Sequence, residues 1–162
     1  MAQLWRSVSD VFDYAMAAEQ KAVGLYRALQ SQAPSEKLKT LFGDLALQEE
    51  GHFGKLLRMR KATAASLEAS GIGCVPRPRG VTLETRGITD IASAYRYAIR
   101  AEKGAARLYA TLADMAADPE IRRTFEVLTQ EELAHRAWLE ADLAKRESGG
   151  FLKRLFRFAA GK

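Results

Sequence analysis

Two Glu-x-x-His pairs constrain this chain more than anything else in it: Glu49 with His52 in QEEGHFGKL, and Glu132 with His135 in QEELAHRAWL. Residues three apart share a helix face, so each pair sets a carboxylate and an imidazole one turn from each other. The copies are separated by 132 − 49 = 83 residues, and 135 − 52 gives the same offset. That offset also carries Glu19 onto Glu102, Tyr26 onto Tyr109, Leu29 onto Leu112, Phe42 onto Phe125 and Leu56 onto Leu139. The chain is a duplicated unit that has kept metal-type side chains, and its only two histidines are among them.

Four amphipathic helices follow from the apolar spacing. Residues 10 to 31 carry Phe12, Ala15, Glu19, Ala22, Tyr26 and Leu29 at three- and four-residue steps, with Ser9 as the expected N-cap. After Pro34-Ser35 a second stripe runs through Leu38, Leu41, Leu45, Glu49, His52 and Leu56, fading between Thr63 and Ser70. Thr89 is the expected cap of a third helix, with Ala94, Tyr95, Ala98, Glu102, Ala106, Tyr109 and Leu112 on one face. Asp118-Pro119-Glu120 is a strong start signal for a fourth, an Asp N-cap followed by Pro in the first helical position. Its stripe is Ile121, Phe125, Leu128, Glu132, His135 and Leu139, and Ser148-Gly149-Gly150 is expected to end it.

Residues 71 to 88 are rich in Gly and Pro and read as a connector. At about 3.3 Å per residue an extended stretch of this size reaches roughly 60 Å. A helix of some 22 residues is only about 33 Å long. The connector can therefore run the length of a bundle and leave helices two and three parallel. The expected fold is all-α: a four-helix bundle of two hairpins related by a pseudo-two-fold axis, with a long crossover between helices two and three. Residues 1–148 would form the bundle and 149–162 a short basic amphipathic tail.

On that geometry Glu19, Glu49, Glu102 and Glu132 meet His52 and His135 at mid-bundle. Buried acids are rare unless compensated, and desolvation costs several kcal/mol per ion. Four carboxylates carry −4, which two divalent cations would neutralise. Oxygen ligands with one imidazole per ion suit iron, manganese or zinc and disfavour copper(I), which prefers sulfur; calcium is a poor match for imidazole. Tyr26 and Tyr109 lie seven residues beyond Glu19 and Glu102 on the same faces. Each is either a core aromatic with its phenol reaching water or a hydrogen-bond donor to a ligand. Trp138 and Phe53 read as ordinary packing, and Cys74 as incidental.

Glu…Tyr followed by Glu-x-x-His, repeated, resembles the ferritin-like superfamily, and both halves are most similar to the rubrerythrin-type diiron-carboxylate domain. The resemblance spans roughly residues 9 to 147, and its six-residue set is the one known for ferritin-like carboxylate proteins. It implies a pair of iron ions bridged by Glu49 and Glu132, with Glu19 and Glu102 as terminal ligands and His52 and His135 on one ion each. It implies a diiron oxidoreductase that oxidises Fe(II), or reduces hydrogen peroxide or dioxygen, in iron handling or oxidative-stress defence. A peroxidase would need an external electron donor; a homo-oligomer is expected in either case. No catalytic residue separate from the ligands is expected. Two departures stand out. Cys74 is the only cysteine, so the four-cysteine rubredoxin module of rubrerythrins proper has no counterpart. Ala105 stands one turn after Glu102, where those proteins usually carry another glutamate. The site implied is symmetric, more like that of bacterioferritin.

The net charge of +5 does not point to nucleic acid. Lys153, Arg154, Arg157 and Lys162 put +4 into the last twelve residues, leaving 5 − 4 = +1 for the rest. The N-terminus lacks a basic segment followed by an apolar one, and no apolar run approaches the roughly 20 residues of a membrane span. A cytoplasmic protein is expected. In FLKRLFRFAAGK, residues 151–162, Phe151, Leu152, Leu155, Phe156 and Ala159 oppose the basic side chains. This is either a fifth packing segment or frayed end, or an anchor for an anionic membrane surface or partner assembly. In the latter case the bundle could be a non-catalytic or structural metal-binding body that acts through its tail.

Overall fold

The structure, a computed structural model, describes residues 7–63 and 90–159, with side chains as far as 148. Four helices account for nearly all of it: α1 (Val8–Gln32), α2 (Glu36–Thr63), α3 (Ile91–Met115) and α4 (Pro119–Ala159). Helix α1 packs chiefly on α2, and α3 chiefly on α4, so the chain folds as two hairpins laid against each other.

The helix ends follow local chemistry. Ser7, not Ser9, caps α1, its hydroxyl accepting from the Asp10 N–H at 3.1 Å. Ala33 turns extended ahead of Pro34, as a residue before proline must, and stops α1 there. The expected Thr89 cap lies outside the described residues. Asp90 does the work instead, in a capping box whose side chain accepts from Ser93 N at 2.7 Å while Ser93 Oγ receives the Asp90 N–H at 3.1 Å. Asp118 Oδ1 caps α4 through Glu120 N at 2.8 Å and Ile121 N at 3.0 Å, as the sequence anticipates. Helix α4 does not end at Ser148-Gly149-Gly150 but continues as backbone to Ala159. Glycine inside a helix costs about 1 kcal/mol relative to alanine, which weakens a helix without breaking it. The tail side chains, the 71–88 connector and Cys74 lie outside the described side chains.

Two apolar clusters fill the bundle, one at each end. The first joins Val8, Val11 and Phe12 of α1, Leu56 of α2, Tyr109 and Leu112 of α3, and Ile121, Phe125 and Leu128 of α4. The second joins Leu25, Tyr26 and Leu29, then Leu38, Phe42 and Leu45, then Ala94, Tyr95 and Ala98, and finally Leu139. Helices α2 and α3 thus both run from the second cluster to the first and are parallel. Their connection must carry the chain from one end of the bundle to the other, as the crossover expectation requires.

The duplication is visible in the packing. Tyr26 stacks on Phe42 at 6.4 Å between ring centroids, and their equivalents Tyr109 and Phe125 stack at 6.0 Å, both pairs 15° from parallel. Phe12 meets Phe125 at 5.7 Å, while its equivalent, Tyr95, meets Phe42 at 5.9 Å. Phe53 and Ala105 pack against the first cluster. Trp138 does not pack as expected: it is 46% exposed. Its position in α4 falls between the inward residues His135 and Leu139, where the helix turns outward.

Candidate metal centre

Between the two apolar clusters lies a single polar layer. Glu19 follows Met16 on α1, Glu49 and His52 fall between Ala46 and Leu56 on α2, Glu102 lies between Ala98 and Ala106 on α3, and Glu132 and His135 between Leu128 and Leu139 on α4. None of the six exceeds 8% exposure. Each occupies a register position that the helical period would otherwise give to an apolar residue. The hairpins therefore bring together all six side chains singled out in the sequence.

They form two overlapping quartets. Glu19, Glu49, His52 and Glu132 offer four ligand atoms within 4.8 Å of one another, and Glu49, Glu102, Glu132 and His135 do the same. Glu49 and Glu132 belong to both quartets, the place of a bridging carboxylate. Around a first-row ion, ligands at about 2.1 Å are up to about 4.2 Å apart, so a small inward shift suffices. The imidazole rings lie 5.7 Å apart and 12° from parallel, one per quartet.

Both histidines turn Nδ1 inward. His52 Nδ1 is 3.1 Å from Glu49 Oε2, 2.9 Å from Glu132 Oε1 and 3.9 Å from Glu19 Oε2. His135 Nδ1 is 3.5 Å from Glu132, 3.6 Å from Glu49 and 3.6 Å from Glu102. Each Nε2 points away from the cluster to an acceptor: Glu131 Oε2 at 3.1 Å for His52 and Gln48 Oε1 at 2.7 Å for His135. An Nε2–H directed outward leaves the Nδ1 lone pair free for a cation, the usual arrangement of a ligating histidine.

The inner oxygens fit a cation better than they fit each other. Neither oxygen of Glu132 has a well-directed hydrogen bond, and Glu19 Oε1, Glu49 Oε1 and His135 Nδ1 also lack one. Such close groups without directional bonds converge on common points, which is how ligands around an ion are arranged. Buried polar atoms left this way are expensive, and an ion would satisfy them together.

Charge is balanced by protons in the ion-free site. Burial raises Glu19 well above the usual carboxylate range, helped by the adjoining Glu49 and by Glu132 and Glu102. Burial likewise raises Glu102, with His135 opposing it and Glu132 assisting. Glu49 and Glu132 also feel burial pushing them up, but the adjoining His135 and His52 rings hold both below their ordinary range. Against burial, which lowers it, His52 is pushed up to about 9 by Glu132 and Glu49. His135 is pushed up to about 12 by Glu102, Glu132 and Glu49, again against burial. Protons are thus drawn to the two imidazoles and to Glu19 and Glu102, and away from Glu49 and Glu132. A protonated site of this kind suits a pair of divalent cations in place of the protons.

Tyr26 is a hydrogen-bond donor to the cluster, but across the hairpins: its hydroxyl donates to Glu102 Oε1. Tyr109 is equally buried, and its hydroxyl has no partner. Gln48 and Glu131, the outer partners of the histidines, were not among the sequence candidates. They are related by the same offset, 131 − 48 = 83, yet each serves the histidine of the opposite hairpin, which spacing along one helix cannot reveal.

Comparison with known proteins agrees with the fold. The rubrerythrin family model matches residues 10–143. A hypothetical protein from Pyrococcus furiosus superposes with a TM-score of 0.66 at 26% identity, over 86% of this chain and 89% of that one. A conserved hypothetical protein from Mycobacterium tuberculosis gives 0.64 at 18% identity, over 83% and 88%. A protein from Thermotoga maritima described as a candidate ferritin-like diiron-carboxylate protein gives 0.64 at 23% identity, over 90% and 99%. No curated protein sequence matches the chain.

Proposed function

The chain belongs to the rubrerythrin family, and from that premise we propose that its mid-bundle cluster holds two iron ions and acts as a diiron oxidoreductase. The observation that carries this reading is the pair of overlapping quartets sharing Glu49 and Glu132. When bound, the iron pair supplies two electrons, one from each ferrous ion, to hydrogen peroxide or dioxygen. Glu49 and Glu132 would serve both ions, Glu19 and His52 would complete one position, and Glu102 and His135 the other. Oxygen-rich ligation with one imidazole per ion favours iron, manganese or zinc; the redox reading is the one that needs iron.

The surrounding residues supply what the chemistry needs. The two apolar clusters close the layer above and below, so bulk water is kept from the site. Tyr26 orients Glu102 through its hydrogen bond and ties that carboxyl to the first hairpin. Lys55 and Glu131, 36% and 37% exposed, lie between His52 and the surface and mark the side on which the cluster is nearest to solvent. Iron storage or detoxification, and peroxide removal with an external reductant, would use this same site. No helix among the described residues is long and apolar enough to cross a membrane. Docking through residues 151–162 and self-association remain separate proposals that do not bear on the site.

Iron-to-chain ratio in protein purified under reducing conditions tests the reading, with two per chain expected. Stopped-flow mixing with excess Fe(II) then separates the activities. A ferroxidase oxidises many irons per chain, whereas a peroxidase holds a fixed pair and turns over peroxide repeatedly with a reductant. A chain that takes up no transition metal, or shows no diiron absorbance, overturns the reading.

A further inference from the structure

The duplication that keeps the six inward side chains alike breaks down immediately behind the histidines. His52 Nε2 lies 3.1 Å from Glu131 Oε2, and Lys55 Nζ holds the same carboxylate at 2.7 and 2.6 Å. His135 Nε2 lies 2.7 Å from Gln48 Oε1. Gln48 and Glu131 are equivalent positions, and so are Lys55 and Trp138, since 138 − 55 = 83. One histidine is therefore backed by a carboxylate clamped by a lysine, the other by a neutral amide with an indole at the lysine's position.

That difference has a chemical consequence. An imidazole whose Nε2–H faces a carboxylate at ion-pair distance carries more electron density at Nδ1 than one that donates to a neutral amide. It is the better ligand for a cation. Lys55 does not cancel this effect, because it sits at the partly exposed outer end of the His52–Glu131–Lys55 series, where water screens its charge. It fixes the carboxylate in the position that meets His52.

Resting on the two-ion reading of the site, we infer that Glu131 and Gln48 make the two ion positions unequal. The Glu19–Glu49–His52–Glu132 position takes up its divalent ion first and more tightly, and Glu131 is the positioning residue that makes it so. The Glu49–Glu102–Glu132–His135 position fills second and releases its ion more readily. One end of a nearly symmetric site is thus the resident position and the other the exchangeable one.

Titration of the chelator-stripped full chain with Co(II), followed by visible absorption and calorimetry, tests this. The wild type is expected to bind two ions in two resolved steps. Glu131→Gln should weaken the first step about 10- to 100-fold, the range for losing an outer partner of a ligating histidine, so that the two steps merge. Glu131→Asp, which keeps the carboxylate, should restore most of the split, and Gln48→Glu should tighten the second step alone. Glu19→Gln, which belongs to the first quartet only, should remove the tight step and leave the weak one. Two equal steps in the wild type, or a Glu131→Gln variant that weakens both steps alike or the second alone, would overturn the inference and leave the two-ion site standing. A wild type that binds no Co(II) would overturn both.

Discussion

Tyr26 of the first hairpin donates its hydroxyl hydrogen to Glu102 of the second, while Tyr109, its equivalent, has no partner although Glu19 Oε1 is also left without one. Two buried phenols in equivalent aromatic stacks thus differ in what their removal should cost. Tyr26→Phe strands a buried carboxyl oxygen, a loss of about 1–3 kcal/mol. Tyr109→Phe removes a hydroxyl that makes no bond and should be neutral or slightly stabilising. In a chain of this size 1 kcal/mol moves the melting midpoint by roughly 2–4 °C. Thermal melts of the chelator-stripped variants should separate by several degrees in that order; equal midpoints would contradict the asymmetry.

Much of this was legible in the sequence because duplication and helical period can be read together. An offset that maps Glu19, Glu49 and His52 onto Glu102, Glu132 and His135 also maps Phe42 onto Phe125, and both sets lie inward as the period requires. Contacts between hairpins were not legible. Tyr26 is two turns from Glu19 on its own helix, yet it bonds Glu102 on another. The strings QEE in the two halves also mislead, since Gln48 aligns with Glu131 and not with Gln130. The length of α4 escaped for a different reason: Gly149-Gly150 lowers helix propensity, but propensity alone does not end a helix whose preceding turns are held to α3. Tyr95 bonds Asp142, and Arg146 Nε reaches both Asp142 Oδ2 at 2.7 Å and the Tyr95 hydroxyl at 3.1 Å.

The shared carboxylates should count double. Glu49→Gln removes a ligand from both quartets, whereas Glu102→Gln removes one from the His135 quartet alone. Metal analysis after reconstitution should therefore give close to two ions for the wild type, about one for Glu102→Gln and well under one for Glu49→Gln. If Glu49→Gln keeps one ion firmly, Glu49 is not shared.

Gly51 sits on α2 between Glu49 and His52 but faces solvent, and a methyl group built there meets nothing within 4 Å. The second copy already carries Ala134 at that place, 134 − 51 = 83. Gly51→Ala should stabilise the fold by about 0.5–1 kcal/mol, chiefly by restricting the unfolded chain. Denaturant unfolding should show the gain with metal stoichiometry unchanged. A loss of stability would mean that the helix is distorted at this turn.

Metal uptake should release protons. Protons in the ion-free cluster are drawn to His52, His135, Glu19 and Glu102, all raised, and away from Glu49 and Glu132, both held low. Two divalent ions bound to four carboxylates and two neutral imidazoles leave a zero sum. Filling the pair should therefore release protons, up to about four when all four raised groups carry one. Titration in weakly buffered solution with a pH indicator would count them, and a release near zero would show that the cluster is already ionised.

The stripped protein should also lose stability as the solution becomes alkaline. His52, pushed up to about 9 from 6.5, stabilises the fold fully below about 6.5 and loses that contribution as pH rises through 9. His135 has the same sign over a longer range, up to about 12. Glu19 and Glu102, also raised, begin to lose their contribution above about 4.5. Glu49 and Glu132, held low, act oppositely: their contribution is present above about 4.5 and disappears on acidification. The stripped chain should therefore melt at a lower temperature at about pH 9.5 than at about pH 6. In the loaded protein both histidines are neutral ligands and have no proton to lose over that interval. The gap between loaded and stripped midpoints should then widen from about pH 6.5 to about pH 9, and a gap that stays constant would mean that His52 is not held as a cation by Glu49 and Glu132.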